Sequence, residues 1–305
     1  MIYRTLRDNP EKDIKYIYFS LEMSSELLLA KLMCLYIYEE FGVVISYTDL
    51  MSWESVLPDN LYEYVRKSEN WLSEISEKLL IFDEALTAKS FYRTIIELLK
   101  EWGEFYKSEN ERRKLYRKYN PDQYVIVVVD HVGLCTPETG NTKKQEIDTI
   151  SQYAVSLRER CQVSFFMLQQ ENRNSSNVER RKMELTECSS EDLKDTGNTF
   201  NDCNVCIGVY YPLKHKLKNH RGYPIINDSA SDFKGLRDRY RSLCLIKNRL
   251  GASDKLIPVN FLGEIGYYRN LPKAEEVTDW KPYLSLTKDS VDEDVPENKS
   301  QEPIN

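Results

Sequence analysis

The chain has 305 residues, 41% of them hydrophobic and 30% charged, with 11 Gly and 11 Pro, which supplies core material for one large domain or two small ones. No run approaches the roughly 18 apolar residues of a membrane span, so no membrane partner is expected, and the start, Met1-Ile2-Tyr3-Arg4-Thr5-Leu6-Arg7, lacks signal-peptide form. A net charge of -7 excludes coating nucleic acid by bulk charge but leaves room for a local basic channel; seven scattered Cys, an odd number, argue against a disulfide scaffold and for a reduced, cytoplasmic setting.

Taken in order, residues 1–10 read as a helix end closed by Asn9-Pro10. Lys15-Tyr16-Ile17-Tyr18-Phe19-Ser20-Leu21 reads as a strand, with Glu22 at its carboxyl end. Ser24 and Ser25 offer N-cap oxygens to a helix over about 26–40, which Gly42 stops. Residues 48–80 predict one or two surface helices broken at Pro58-Asp59-Asn60, and Leu79-Leu80-Ile81-Phe82 a short strand ending in Asp83. A long, charged helix is expected from Ser90 to about Tyr119; its stretch 107–118, with six basic and two acidic residues, reads as a solvated face rather than a nucleic-acid site.

The central stretch is Tyr124-Val125-Ile126-Val127-Val128-Val129-Asp130. Six apolar or aromatic residues, mostly β-branched, predict a strand covered on both faces, as in a helix-covered parallel sheet. Asp130 then lies at the carboxyl edge, where open α/β sheets bind ligands. That carboxylate either holds Mg²⁺ on a nucleotide or merely caps the next element.

Gly140-Asn141-Thr142 marks a loop before a helix over 145–160, and 163–168 predicts another buried strand ending in Gln169-Gln170. Residues 171–191 read as a mobile loop, 205–211 and 242–246 as strands, and 255–263 as a last strand or hairpin. Between them 212–241 forms an insertion with eight basic and three acidic residues. One domain over 1–286 is expected, followed by a disordered acidic tail over 287–305. Cys203-x-x-Cys206 with His215 and His220 has zinc-like spacing, but residues three apart in one strand face opposite ways, so buried thiols are the preferred reading.

Four strands therefore end in polar groups at one edge: Glu22, Asp130, Gln170 and the Lys247-Asn248-Arg249 triplet. A base for water, a metal-holding Asp, a γ-phosphate-sensing Gln and cations for transition-state charge together make a nucleotide-hydrolysis set.

Six segments carry a resemblance: Phe19-Ser20-Leu21-Glu22-Met23-Ser24, Val128-Val129-Asp130-His131-Val132-Gly133-Leu134, Leu168-Gln169-Gln170-Glu171-Asn172-Arg173, Asp192-Leu193-Lys194-Asp195-Thr196-Gly197, Lys247-Asn248-Arg249-Leu250-Gly251 and Phe261-Leu262-Gly263-Glu264. In this order over about residues 15–270 the chain resembles the C-terminal motor domain of DnaB-type replicative helicases, RecA-like hexameric helicases of superfamily 4, particularly the phage-encoded ones. The resemblance implies an α/β, RecA-like, mostly parallel sheet with helices on both faces, and ATP with Mg²⁺ as cofactors. It assigns Glu22 as the catalytic glutamate, Asp130 as the Walker B metal-holding aspartate and Gln170 as the γ-phosphate sensor. Lys247 and Arg249 match the basic pair that serves a neighbouring subunit's nucleotide in a homohexameric ring. Lys194, Asp195 and Gly197 match the loop that touches single-stranded DNA. Primase and a helicase loader are further expected partners.

The departures are specific. None of the 11 Gly is followed by Lys-Ser or Lys-Thr, so the family's phosphate loop is missing from these 305 residues; an N-terminally truncated motor, lacking its first strand and completed by a longer gene or a companion chain, is the expectation. His131 replaces a usual Tyr, Asp195 a usual Glu and Asn204 a usual Asp. A non-catalytic RecA-like scaffold subunit and a recombinase-like relative are the alternatives.

Overall fold

The computed structural model describes residues 1–52, 56–107, 114–171, 186–193, 197–229 and 232–285. Its centre is a four-stranded, all-parallel sheet in the order β2-β1-β5-β6, built from β1 (Asp13–Ser20), β2 (Leu79–Phe82), β5 (Gln123–Asp130) and β6 (Val163–Met167). β1 and β5 run in register along their whole length, from Asp13 opposite Gln123 to Ser20 opposite Asp130. Side chains alternate across a strand. Val125, Val127 and Val129 therefore join Ile17 and Phe19 in one core beneath α5 (Ala88–Trp102) and α6 (Lys143–Cys161). Tyr16, Tyr18 and Val128 point the other way, into a second core with α1 (Ile2–Asp8), α2 (Ser25–Phe41) and α4 (Tyr62–Ile75). Each fully buried aliphatic or aromatic side chain contributes about 1.5–3 kcal/mol.

Local signals explain the helix ends. The Ser24 hydroxyl accepts from the Leu27 amide at 3.4 Å, and Gly42 closes α2 with φ 66°, a left-handed cap that costs glycine nothing. A four-residue α3 (Tyr47–Leu50) follows, and the break at Pro58 precedes α4. Thr87 with Ser90, and Thr142 with Gln145, form reciprocal caps on α5 and α6. Glu146 joins these two starts. Wholly buried, it accepts from the amides of Ala88 at 2.5 Å and Glu138 at 3.2 Å and from the Asn141 amide group at 3.1 Å. Burial pushes against its ionisation, but these three donors hold its carboxyl below the usual glutamate value.

One expected helix is cut short. α5 ends at Trp102, and β3 (Gly103–Tyr106) pairs antiparallel with β4 (Leu115–Lys118) where a helix to Tyr119 was anticipated. At Gly103 a Cβ would come within 2.5 Å of the Arg117 carbonyl, so only glycine permits this approach. Phe105 packs on Tyr116, whose hydroxyl bonds the Leu99 carbonyl at 3.0 Å. Long-range packing here overrides the helical propensity of a charged stretch.

The later strands form a second, antiparallel sheet, β12-β11-β10-β7, from α7 (Asn198–Asp202) onward: β7 (Val205–Tyr210), β10 (Tyr240–Asn248), β11 (Lys255–Leu262) and β12 (Tyr267–Asn270). Leu262, Ile265 and Tyr267 of this sheet pack on Cys34 and Tyr38 of α2. The insertion has its own small core of Tyr223, Ile225, Leu236 and Tyr240, carries the two-residue pair β8 (Asn219–His220) and β9 (Tyr223–Pro224), and spends several basic residues on internal partners. Arg221 grips Glu187, Arg239 grips Glu264, and Arg241 stacks 3.6 Å over Tyr211.

β6 and β7 are less covered than expected. On β6, Phe165 and Met167 pack into the α5/α6 core while Phe166 is 46% exposed; on β7, Ile207 is 55% exposed. No helix among the described residues is long and apolar enough to cross a membrane. The anticipated acidic tail over 287–305 lies outside the described residues, as does 172–185 of the anticipated mobile loop.

Candidate active site

β1 and β5 deliver two carboxylates to one edge. Ser20 sits opposite Asp130, and the Leu21 amide bonds the Asp130 carbonyl at 2.7 Å, which extends the ladder one step past β1. Glu22 follows in a turn held by the Ser20 hydroxyl, which donates to the Met23 carbonyl at 2.7 Å. The Glu22 side chain stays 57% exposed, and its Oε2 stands 4.0 Å from Nε2 of buried His131. The Nδ1 of His131 is buried and lacks a partner among the described residues. Asp130 is half-buried and accepts from the Tyr18 hydroxyl at 3.0 Å through Oδ2. Burial, then the Asp130 charge, raises the Tyr18 phenol well above its ordinary value, so it remains the donor at any working pH. Asp130 thus does not cap the next element with its side chain.

The end of β6 lies beside this pair. The Leu168 amide bonds Val129 and the Val132 amide bonds Leu168, each at 3.0 Å, and bring the Gln169-Gln170 segment to the same edge. Gln170 is exposed, whereas Gln169 accepts from the Thr199 hydroxyl of α7 at 2.7 Å. Asp83, at the end of β2, accepts from both the amide and the hydroxyl of Ser25, and these bonds lower its carboxyl below the usual aspartate value. Glu22, Asp130 and Gln170 therefore follow neighbouring parallel strands, as the spacing of strands and polar ends predicts.

Lys247 and Arg249 are placed differently. The Lys247 ammonium donates to the carbonyls of Phe200 and Asn201, and the Arg249 guanidinium to Asn201. Both cations cap the carboxyl end of α7, where exposed carbonyls attract positive charge. α7 connects them to Gln169 through Thr199, and it is held on α6 by Ser151 and Arg158, which bond Asp202. Gly197 is the exposed N-cap of α7; Lys194 and Asp195 lie outside the described residues.

Sequence reasoning missed Tyr18 and Thr199. Tyr18 carried a faint signal, since its side chain shares a face with Val128 and Asp130 once β1 and β5 are in register. Thr199 carried none. The cysteine reading is corrected: Cys203 caps α7 and precedes the bend at Asn204, so strand alternation does not separate it from Cys206, and the two thiols meet. His220 spends Nδ1 on the Tyr240 hydroxyl and Nε2 on Glu187, and no group of three or more metal-ligating side chains occurs among the described residues.

No family model and no curated protein sequence matches the chain. Solved structures do. A DnaB-like replicative helicase, determined for its interactions with primase, superposes with a TM-score of 0.62 at 16% identity over 87% of this chain and 53% of its own. A second structure, solved as an ATPase domain on its own, superposes with a TM-score of 0.63 at 16% identity over 88% of this chain and 78% of that domain. The chain thus spans about half the length of the DnaB-like helicase, 53%. The parallel sheet with its ordered polar ends and these two superpositions agree: by fold, the chain is a DnaB-type RecA-like domain.

Proposed function

We propose that the chain is the motor domain of a replicative DNA helicase that couples ATP hydrolysis to movement along single-stranded DNA. The observation that carries this reading is the pairing of Glu22 and Asp130 at adjacent parallel strand ends, fixed by the Leu21 to Asp130 bond. The donor set suits Mg²⁺, which takes one or two carboxylates and completes its shell with phosphate and water. Asp130 Oδ2 is occupied by Tyr18, which leaves Oδ1 to face the metal's shell. When bound, Mg²⁺·ATP supplies the electrophilic γ-phosphate. Glu22, exposed and unpaired except for its approach to His131, takes the proton from the attacking water, and Gln170 reaches the γ-phosphate from β6.

The site needs a phosphate loop, and the open edges of β6 and β7 are consistent with a strand entering between them, carried in cis or by a companion chain. β6 pairs with β5 alone and β7 with β10 alone among the described residues. Lys194, Asp195 and Gly197 are proposed as the DNA-contacting loop, and a homohexameric ring as the working assembly. In the completed protein, Glu22→Gln is expected to keep ATP binding and to lower turnover at least about 10²-fold, since the shape survives and the base does not. Persisting turnover with intact binding would reduce Glu22 to a turn residue.

A scaffold reading is favoured by one observation, the engagement of Lys247 and Arg249 with their own α7 rather than with open solvent. Subunit mixing separates the two. Completed Arg249→Ala and Glu22→Gln proteins, each inactive alone, regain ATPase activity in mixed rings if Arg249 serves a neighbour. Mixed rings that stay inactive at every ratio favour the helix-capping role.

A further inference from the structure

The foot of β7 gathers two thiols and two cations that the proposed motor chemistry does not use together. Cys203 ends α7, with φ -72° and ψ 150°, and its thiol donates to the Phe200 carbonyl at 3.3 Å. The bend at Asn204 returns the chain, so that the Cys206 thiol, on β7, lies within hydrogen-bonding reach of Cys203. Across the sheet, Lys247 is the register partner of Cys206, just past the bulge between Leu245 and Lys247. The Arg249 amide bonds the Asn204 carbonyl at 2.9 Å, which ties the second cation to the same turn. Neither thiol is fully buried.

We propose that Cys203 and Cys206 form a reversible dithiol–disulfide site, oxidised by small disulfides of the glutathione class. Thiol–disulfide exchange needs an accessible thiolate beside a resolving thiol. The hydrogen bond from Cys206, then the charges of Lys247 and Arg249, outweigh burial and lower the Cys203 thiol, while Cys206 is raised as the donor of the pair. Cys203 is therefore the nucleophile. Its thiolate attacks one sulfur of oxidised glutathione, breaks that S–S bond and expels a glutathione thiolate. Cys206, after losing its proton to solvent, attacks Cys203 Sγ of the mixed disulfide and expels the second. The two cysteines lose two electrons and two protons, and one glutathione disulfide becomes two thiols. Oxidation removes the thiolate that faces Lys247 and Arg249, so the redox state changes the charge balance around the basic pair. Cys34, Cys135 and Cys161 serve as internal references, because all three are buried away from this cluster.

The test equilibrates the full chain in glutathione buffers of graded oxidised-to-reduced ratio, quenches in acid, alkylates and maps every cysteine by mass spectrometry. The expected result is a Cys203–Cys206 disulfide at ratios that leave Cys34, Cys135 and Cys161 fully alkylated. In Cys206→Ser a glutathione adduct on Cys203 should persist in place of the disulfide. The rate of Cys203 alkylation against pH should turn on below the ordinary thiol range, move upward in Lys247→Met and return in Lys247→Arg. The proposal is overturned if Cys203 and Cys206 oxidise no more readily than the reference cysteines, if Cys206→Ser collects no adduct, or if the pH profile ignores Lys247.

Discussion

On one face of the parallel sheet, Phe91, Ile95 and Leu99 of α5 and Ile147, Ile150 and Leu157 of α6 are all 0% exposed and seal β1, β5 and β6 alike. On the opposite face α1, α2 and α4 bury Tyr16, Tyr18 and Val128, but the cover stops at β5: Phe166, opposite Val128 in register, is 46% exposed, and Val205, Ile207 and Val209 of β7 are exposed in turn. Single exposed apolar residues are ordinary, whereas an alternating set along two open strand edges marks a surface that takes a partner. The sealed face accounts for stability, and the bare face adjoins the edge where Glu22, Asp130 and Gln170 gather.

Substitutions should separate the two faces by size of effect. Phe91→Ala, beneath the sealed face, is expected to cost about 3–5 kcal/mol in denaturant unfolding, through lost transfer energy and a cavity. Glu146→Ala should cost about 2–3 kcal/mol, because it strips buried amides of Ala88 and Glu138 of their acceptor. The Glu146 carboxyl is lowered in the folded chain, so its contribution is present above the ordinary glutamate value of about 4.3 and disappears as pH falls through the lower folded value. Accordingly, the stability gap between the native chain and Glu146→Gln should close as acid is added. A gap independent of pH would mean that Glu146 acts by packing alone. On the bare face, Phe166→Ser or Ile207→Thr should change stability by no more than about 0.5 kcal/mol while reducing self-association in light scattering. A loss comparable to that of Phe91→Ala would show the face to be covered.

How far the sequence discloses this depends on the residue. The β-branched run 125–129 could only be a covered strand, and Asp130 could only end it, so β5 and the carboxylate edge are legible. Ser164-Phe165-Phe166-Met167-Leu168 looks equally buried, because an apolar run does not tell whether one or both faces find a partner. The charged stretch 107–118 imitates a helix, and the decisive mark against it was Gly103, whose missing Cβ admits β4. Lys247 and Arg249 are legible as a pair, but their engagement with the carbonyls of α7 depends on a five-residue helix that short-range pattern does not announce. The meeting of Cys203 with Cys206 turns on a one-residue question, whether β7 starts before or after Asn204.

The most direct test supplies the chain with a strand and phosphate loop, in cis or as a companion polypeptide, and measures DNA-stimulated ATP hydrolysis beside amide hydrogen exchange along β6 and β7. The account predicts that turnover appears only with the added segment, depends on Glu22, and coincides with new protection at both open edges. Turnover by the unaided chain, or turnover with the β6 and β7 edges still exchanging freely, would contradict it.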